Sequence, residues 1–251
     1  MNWKPVVSAA MRFVVRLAAV VVVQNLLRQT GFYEFTAREA AGITVLIGPV
    51  GDIYAVLLAF AIFVIWGQFT EVENCVIREC NSLDDLLRFS AYMEPDASAA
   101  IRRSVADYAR RVLKYEWPAL GEGRADKQAD ELFVAILGCV VECNPRTEAQ
   151  KAIHGRLLEM AQRSGSFRDE RVAKSLTRMP PTLSGLVRGL AFALLLLVFA
   201  YPFQYEIASA ACFALVSGVV FLADFVMMDT DNPIQGVFNV SPRPFATLAA
   251  A

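Results

Sequence analysis

Three long stretches without a charged side chain constrain this chain more than any other feature. Between Asp52 and Glu71 lie 18 uncharged residues, Ile53–Thr70. Between Arg188 and Glu206 lie 17, and between Glu206 and Asp224 another 17. A helix rises ~1.5 Å per residue, so ~20 mostly apolar residues cross the ~30 Å hydrocarbon layer of a bilayer. Each run therefore reads as the core of a transmembrane helix. The last two abut at Tyr201-Pro202-Phe203-Gln204-Tyr205-Glu206, an aromatic, proline-containing turn suited to a hairpin at a membrane interface. A fourth apolar segment, 6–27, carries Arg12 and Arg16, so its clean run is only Leu17–Leu27. It reads as a first transmembrane helix, with a helix lying in the interface as the alternative. A secretory signal fits less well, because Arg16 interrupts the apolar region.

The charge is concentrated elsewhere. Residues 69–182 hold 17 of the 24 Lys+Arg and 18 of the 25 Asp+Glu. The expected architecture is an all-α integral membrane protein with about four transmembrane helices. Residues 1–68 form the first helix pair, 69–182 a charged helical insert, 183–228 the second pair and 229–251 a C-terminal segment. The basic residues of the insert, and their scarcity in the other loops, place the insert and both termini in the cytoplasm, with the spans in the cell inner membrane. The formal net charge is −1 and no basic block stands out, so no nucleic-acid partner is expected. The partners expected are lipids and further copies of the chain.

Within the insert, proline-free sequence from Ile53 to about Met93 predicts one long helix whose later half keeps an apolar stripe at Val72, Val76, Cys80, Leu83 and Leu87. A second helix, about 97–117, spaces Ile101, Val105, Tyr108, Val112 and Tyr115 by 4, 3, 4, 3, a narrow seam for a neighbouring helix. Pro118 should stop it. A third runs about 126–142. A fourth, about 145–163, should open with Asn144 as cap and Pro145 at the first position, and Ser164-Gly165-Ser166 should break it. Cys75, Cys80, Cys139 and Cys143 lack the C-x2-C spacing of zinc sites and read as packing residues.

Catalytic patterns are missing. His154 is the only histidine, and there is no GxSxG, P-loop or GxGxxG. The chain is not read as an enzyme. Ionisable groups in or beside the spans are the functional candidates, because such groups are costly in hydrocarbon. Arg16 and Asp224 have similar depth and could form an intramembrane ion pair; snorkelling of the arginine to headgroups is the competing reading. Asp52 either caps the second helix or contributes to a ring of carboxylates at a pore mouth. Asp229 and Asp231 follow the last span. Position 12 counted from Asp229 is Val240, so an EF-hand fails, and an Asx-turn with Pro233 and Gly236 completing the reversal competes with a calcium or other cation site at Asp229 and Asp231.

The segments Ile53-Tyr54-Ala55-Val56-Leu57-Leu58-Ala59-Phe60, then Trp66, Glu71, Glu79, Val105-Ala106-Asp107-Tyr108, Lys114-Tyr115-Glu116-Trp117 and Asp229-Thr230-Asp231-Asn232-Pro233-Ile234-Gln235-Gly236 resemble, in this order, the bacterial bestrophin-like membrane proteins. The resemblance runs from about residue 50 to the C-terminus and extends distantly to bestrophins, which are pentameric ion channels. It implies a homo-oligomer, a pentamer, passing an inorganic ion through a hydrophobic neck on the second transmembrane helix. Leu58-Ala59-Phe60 corresponds to the neck segment, with alanine in place of a glycine. The pore face would be Asp52, Val56, Phe60 and Val64. The resemblance also implies that the acidic segment after the last span can hold calcium. The alternative function is a non-conducting membrane scaffold or sensor whose insert binds a cytoplasmic partner.

Overall fold

Apolar stripes at helical spacing, with no alternating segment, leave helices as the only way to satisfy the backbone, and the computed structural model is built of helices joined by short turns and loops over its described residues, 4–250, with no strand among them and with side chains described at 11, 14, 15 and from 17 to 250. Two units result, one from the residues up to Ile65 with Met179–Asp231, the other from Trp66–Arg178 with the residues from Asn232 onward.

The first unit holds α1 (Lys4–Gln29), the short α2 (Phe32–Arg38), the first half of α3 (Ala40–Ser90), α8 (Pro181–Ala200) and α9 (Glu206–Thr230). Three helices among the described residues are long and apolar enough to cross a membrane: Ala40–Ser90, the helical stretch Glu148–Ala200 and Glu206–Thr230. The described apolar part of the first helix, Leu17–Gln29, is shorter. The chain ahead of Ile53 is helical too, so the long helix starts well before its expected beginning. Gly31 takes φ 77°, a left-handed turn that separates α1 from α2, and α3 begins at Ala40 and carries Pro49 inside it. Asp52 therefore lies a dozen residues into a helix and caps nothing. α8 and α9 pack together through the aromatic hairpin, in which Tyr201 and Phe203 meet edge to face at 4.7 Å. Tyr54, Ala61, Ile65, Val187, Ala191 and Met227 make the apolar core of this unit. Its outer side chains, among them Val14, Val22, Val56, Phe63, Phe192, Ile207 and Leu215, are exposed. So much apolar surface suits lipid or protein neighbours, not water.

The second unit holds the second half of α3, α4 (Pro95–Arg111), a π-helical turn (Val112–Glu116), α5 (Trp117–Gly121), α6 (Lys127–Val141), α7 (Glu148–Leu176) and α10 (Arg243–Ala249). Its core joins Val72, Val76, Leu83, Leu87, Ile101, Val105, Tyr108, Phe133 and Leu157 with Ile234, Val240, Phe245 and Leu248 of the C-terminal segment. The tail from Asn232 thus belongs to the same core as the charged segment.

The helices of this unit depart from the expected boundaries and caps at several points. The seam Ile101, Val105, Tyr108, Val112 is fully buried against α6 and α10 of the same chain, so it is not available to another subunit. Tyr115 leaves the seam, 46% exposed, because the π turn inserts an extra residue and turns Glu116 inward in its place. Pro118, which has no N–H and whose ring crowds the preceding turn, explains the widened turn, and the helix resumes at Trp117. Ser164-Gly165-Ser166 does not break α7, which runs unbroken over 29 residues. Gly165 is there for proximity: a Cβ on it would stand 3.1 Å from Phe133 Cε1. The cap of α7 is Thr147, which accepts from the Gln150 N–H while Gln150 Oε1 accepts from the Thr147 N–H, a reciprocal capping box.

Candidate functional site

The four proposed pore residues share one face of α3 because they recur every four positions, about one helical turn. Asp52, Val56 and Phe60 are exposed, Val56 at 69% and Phe60 at 55%, and Val64 is half-buried. Tyr54, Ala61 and Ile65 occupy the opposite side and are buried within the protomer. The stripe is thus unused by the chain's own packing. So are Ile53 and Phe63 beside it, so the exposed arc exceeds what one pore face needs.

Asp224 has a partner in the described structure. Arg188 Nε donates to its Oδ1 at 2.9 Å, joining α8 to α9. The Arg16 side chain, its expected partner, lies outside the described residues. The pair borders a pocket of about 310 Å³ whose lining includes Leu17, Tyr54, Leu58, Phe192, Phe213 and Val220.

Beyond the last span, Asp231 Oδ1 accepts the Met179 N–H at 2.7 Å, which fixes the entry to α8. The Asx-turn belongs to Asn232, whose Oδ1 accepts from the N–H groups of Ile234 and Gln235 and whose Nδ2 donates to the Gly121 carbonyl. Gly236, at φ 120°, makes the reversal that only glycine adopts readily. Within the D-x-D-x-P-x-x-G segment, Asp231 bonds the residue that leads into α8, and Asn232 bonds the last residue of α5. Calcium takes roughly 6–8 oxygen ligands. Two acidic side chains, one already bonded to Met179, fall far short, and no group of three or more His, Cys, Asp or Glu suited to a metal occurs among the described residues.

The most buried ionic cluster lies in the second unit. Arg171 of α7, fully buried, donates to Glu79 Oε2 of α3 at 2.7 Å and to Glu116 Oε2 of the π turn at 2.9 Å. Tyr108 of α4 donates to Glu79 Oε1 at 2.5 Å. Arg168 bridges Glu116 and Asp130 of α6, both at 3.0 Å. The guanidinium of Arg171 lies 5.3 Å from the Phe245 ring centre of α10. Burial, reinforced by the Glu79 carboxylate, holds the Tyr108 hydroxyl well above its ordinary range, so it stays neutral. Burial opposes the charge on Arg171, but Glu79, Tyr108 and Glu116 outweigh it and hold the guanidinium charged.

Glu79 and Glu116 are the fully buried carboxylates among the described residues of this segment. A signal existed for Glu79, which stands on the stripe between Val76 and Leu83. Glu116 had none, because its inward turn depends on the π geometry. The thiols read as expected: Cys75, Cys80 and Cys143 are free and buried, and burial with Glu170 nearby pushes Cys75 up to about 11. His154 is half-buried, with Nε2 2.9 Å from the Val140 carbonyl oxygen.

The fold and these features define an all-helical membrane protein with a separate charged helical unit. The sequence profile of the Bestrophin-like domain matches residues 14–245, and the chain belongs to that family. Two crystal structures of a bacterial Bestrophin homolog from Klebsiella pneumoniae share the fold, with TM-scores of 0.72 and 0.71 at 10% and 11% identity, covering 96% of both chains in each case. A further structure, described as a membrane protein, matches at TM-score 0.70 and 12% identity over 94% of this chain and 95% of its own. No curated protein sequence matches the chain.

Proposed function

We propose that this chain is one subunit of a cyclic homo-oligomeric ion channel, a pentamer, with a hydrophobic neck lined by α3. The observation that carries the reading is the Asp52, Val56, Phe60 stripe, left exposed by a protomer of a family whose solved relatives are described as Bestrophin homologs. A ring of Phe60 side chains narrows the axis and excludes water, so the neck gates by dewetting. A ring of Asp52 carboxylates two turns away concentrates cations within roughly a Debye length of ~8 Å. The permeant ion is therefore a cation. The charged unit and both termini face the cytoplasm and the spans cross the inner membrane, on the concentration of 17 Lys+Arg in residues 69–182.

The test is purified protein in liposomes, assayed for cation flux, with native mass spectrometry on the same preparation. A five-subunit species with flux above empty vesicles supports the proposal. A monomer in mild detergent, or a pentamer without flux, contradicts it.

A further inference from the structure

We propose that the pocket beside Arg188 and Asp224 binds one phospholipid with a zwitterionic headgroup, its phosphate on Arg188, its ammonium on Asp224 and one acyl chain in the pocket. The inference stands on the membrane setting of the first unit and not on conduction. The pocket is formed by α1, α3, α8 and α9, and its volume of about 310 Å³ lies at the small end of the roughly 300–1,000 Å³ typical of ligand sites. Apart from the ion pair its lining is almost wholly apolar; Ser217 and the Tyr54 hydroxyl are the other polar groups.

Depth argues for a lipid. Arg188 lies seven residues past the first residue of α8, and Asp224 six before the last of α9, so both stand roughly 10 Å in from the same helix ends. With those helix ends at the membrane surface, this depth is the boundary of headgroups and acyl chains, where interfacial groups lodge. From Asp224 the lining continues along α9 to Phe213, eleven residues or roughly 16 Å, close to the ~15 Å of one leaflet's hydrocarbon. A groove with a charged end at headgroup depth and an apolar length of one leaflet has the dimensions of a lipid.

Charge selects the headgroup. The Arg188 and Asp224 side chains remain 48% and 40% exposed although they bond each other. A half-exposed ion pair at the edge of the hydrocarbon is stabilised by polar groups that reach it. The bond to Asp224 uses one N–H of a guanidinium that has five, and one oxygen of a carboxylate that has two. A positive and a negative group side by side complement a phosphate and an ammonium together. A fatty acid offers only the anion, and an anionic phospholipid sets its charge against Asp224. Because lipid tails are as apolar as the lining, the chain alone gives little preference over bulk bilayer, and the ion pair supplies the selectivity.

Purified protein stripped of lipid is incubated separately with phosphatidylethanolamine, phosphatidylglycerol and oleic acid, and retained lipid is counted by native mass spectrometry. The expected result is one phosphatidylethanolamine per subunit, retained in preference to the other two. Val220→Trp, which fills the pocket, should lower retention about tenfold, equivalent to roughly 1.4 kcal/mol, while Val220→Ala retains the lipid. Arg188→Gln with Asp224→Asn should remove the preference between the two phospholipids, a ratio read within one variant and so independent of its stability. Undiminished binding to Val220→Trp, equal retention of oleic acid, or an unchanged preference in the double variant overturns the proposal.

Discussion

A single guanidinium decides how the charged unit is held together. Arg171 is surrounded by Glu79, Glu116 and Tyr108, so removing it leaves Glu79 with Tyr108 alone and Glu116 with Arg168 alone, one buried negative charge uncompensated. Breaking one partner of a buried ion pair costs roughly 3–5 kcal/mol. Arg171→Met should therefore destabilise the protein by about that amount, read as a lowered midpoint of thermal unfolding followed by circular dichroism. Tyr108 adds a pH dependence. Its folded pKa is raised above that of the unfolded chain, so its contribution is complete below about pH 10 and is lost as pH rises through the folded value. Wild type should lose stability above about pH 10 more steeply than Tyr108→Phe, and parallel alkaline denaturation curves for the two would contradict this assignment. At this scale the sequence was partly legible. Glu79 could be placed because it shares the spacing of its apolar neighbours, and Glu116 could not, because a π turn shifts register without any motif of its own.

Helices were legible where apolar period and caps agree, and misread where one residue serves two purposes. α3 from Ile53 onward and α6 could be read because uninterrupted stripes specify them, whereas the start of α3, ahead of Pro49, could not. Gly165 could not, because a glycine that breaks a helix and one that admits an aromatic ring from a neighbouring helix look alike in a single sequence. Gly165→Leu should leave α7 intact but push Phe133 out of place, destabilising the unit by roughly 1–3 kcal/mol, whereas a helix-breaking glycine would give a stabilising substitution. The N-terminus of α6 makes the opposite case. Asp126 caps Gln128 N–H and also accepts two bonds from Arg111, whose hydrogen bonds hold its carboxyl below the usual range. That stability is present above about pH 4 and is lost as pH falls through the lowered value. Asp126→Ala should cost roughly 1–3 kcal/mol at neutral pH, and the difference from wild type should shrink in acid. An undiminished difference at low pH would show that the charge plays no part.

Across the whole molecule, the division into an apolar and a charged part was visible from the placement of 17 Lys+Arg in residues 69–182. What no single sequence carries is which exposed apolar surface meets lipid, a pore or another subunit, since all three favour the same side chains. Orientation is testable at Ala125, exposed in the charged unit: a cysteine there should react with an impermeant reagent only after cells are opened, and reaction in intact cells would reverse the topology. Conduction itself is tested at the neck. In reconstituted bilayers under asymmetric salt, Phe60→Ala should raise conductance severalfold by wetting the constriction. Asp52→Asn should shift the reversal potential toward lower cation preference, more strongly in dilute salt. A protein that conducts with the same conductance and the same reversal potential in wild type and both variants would show that α3 does not line the pore.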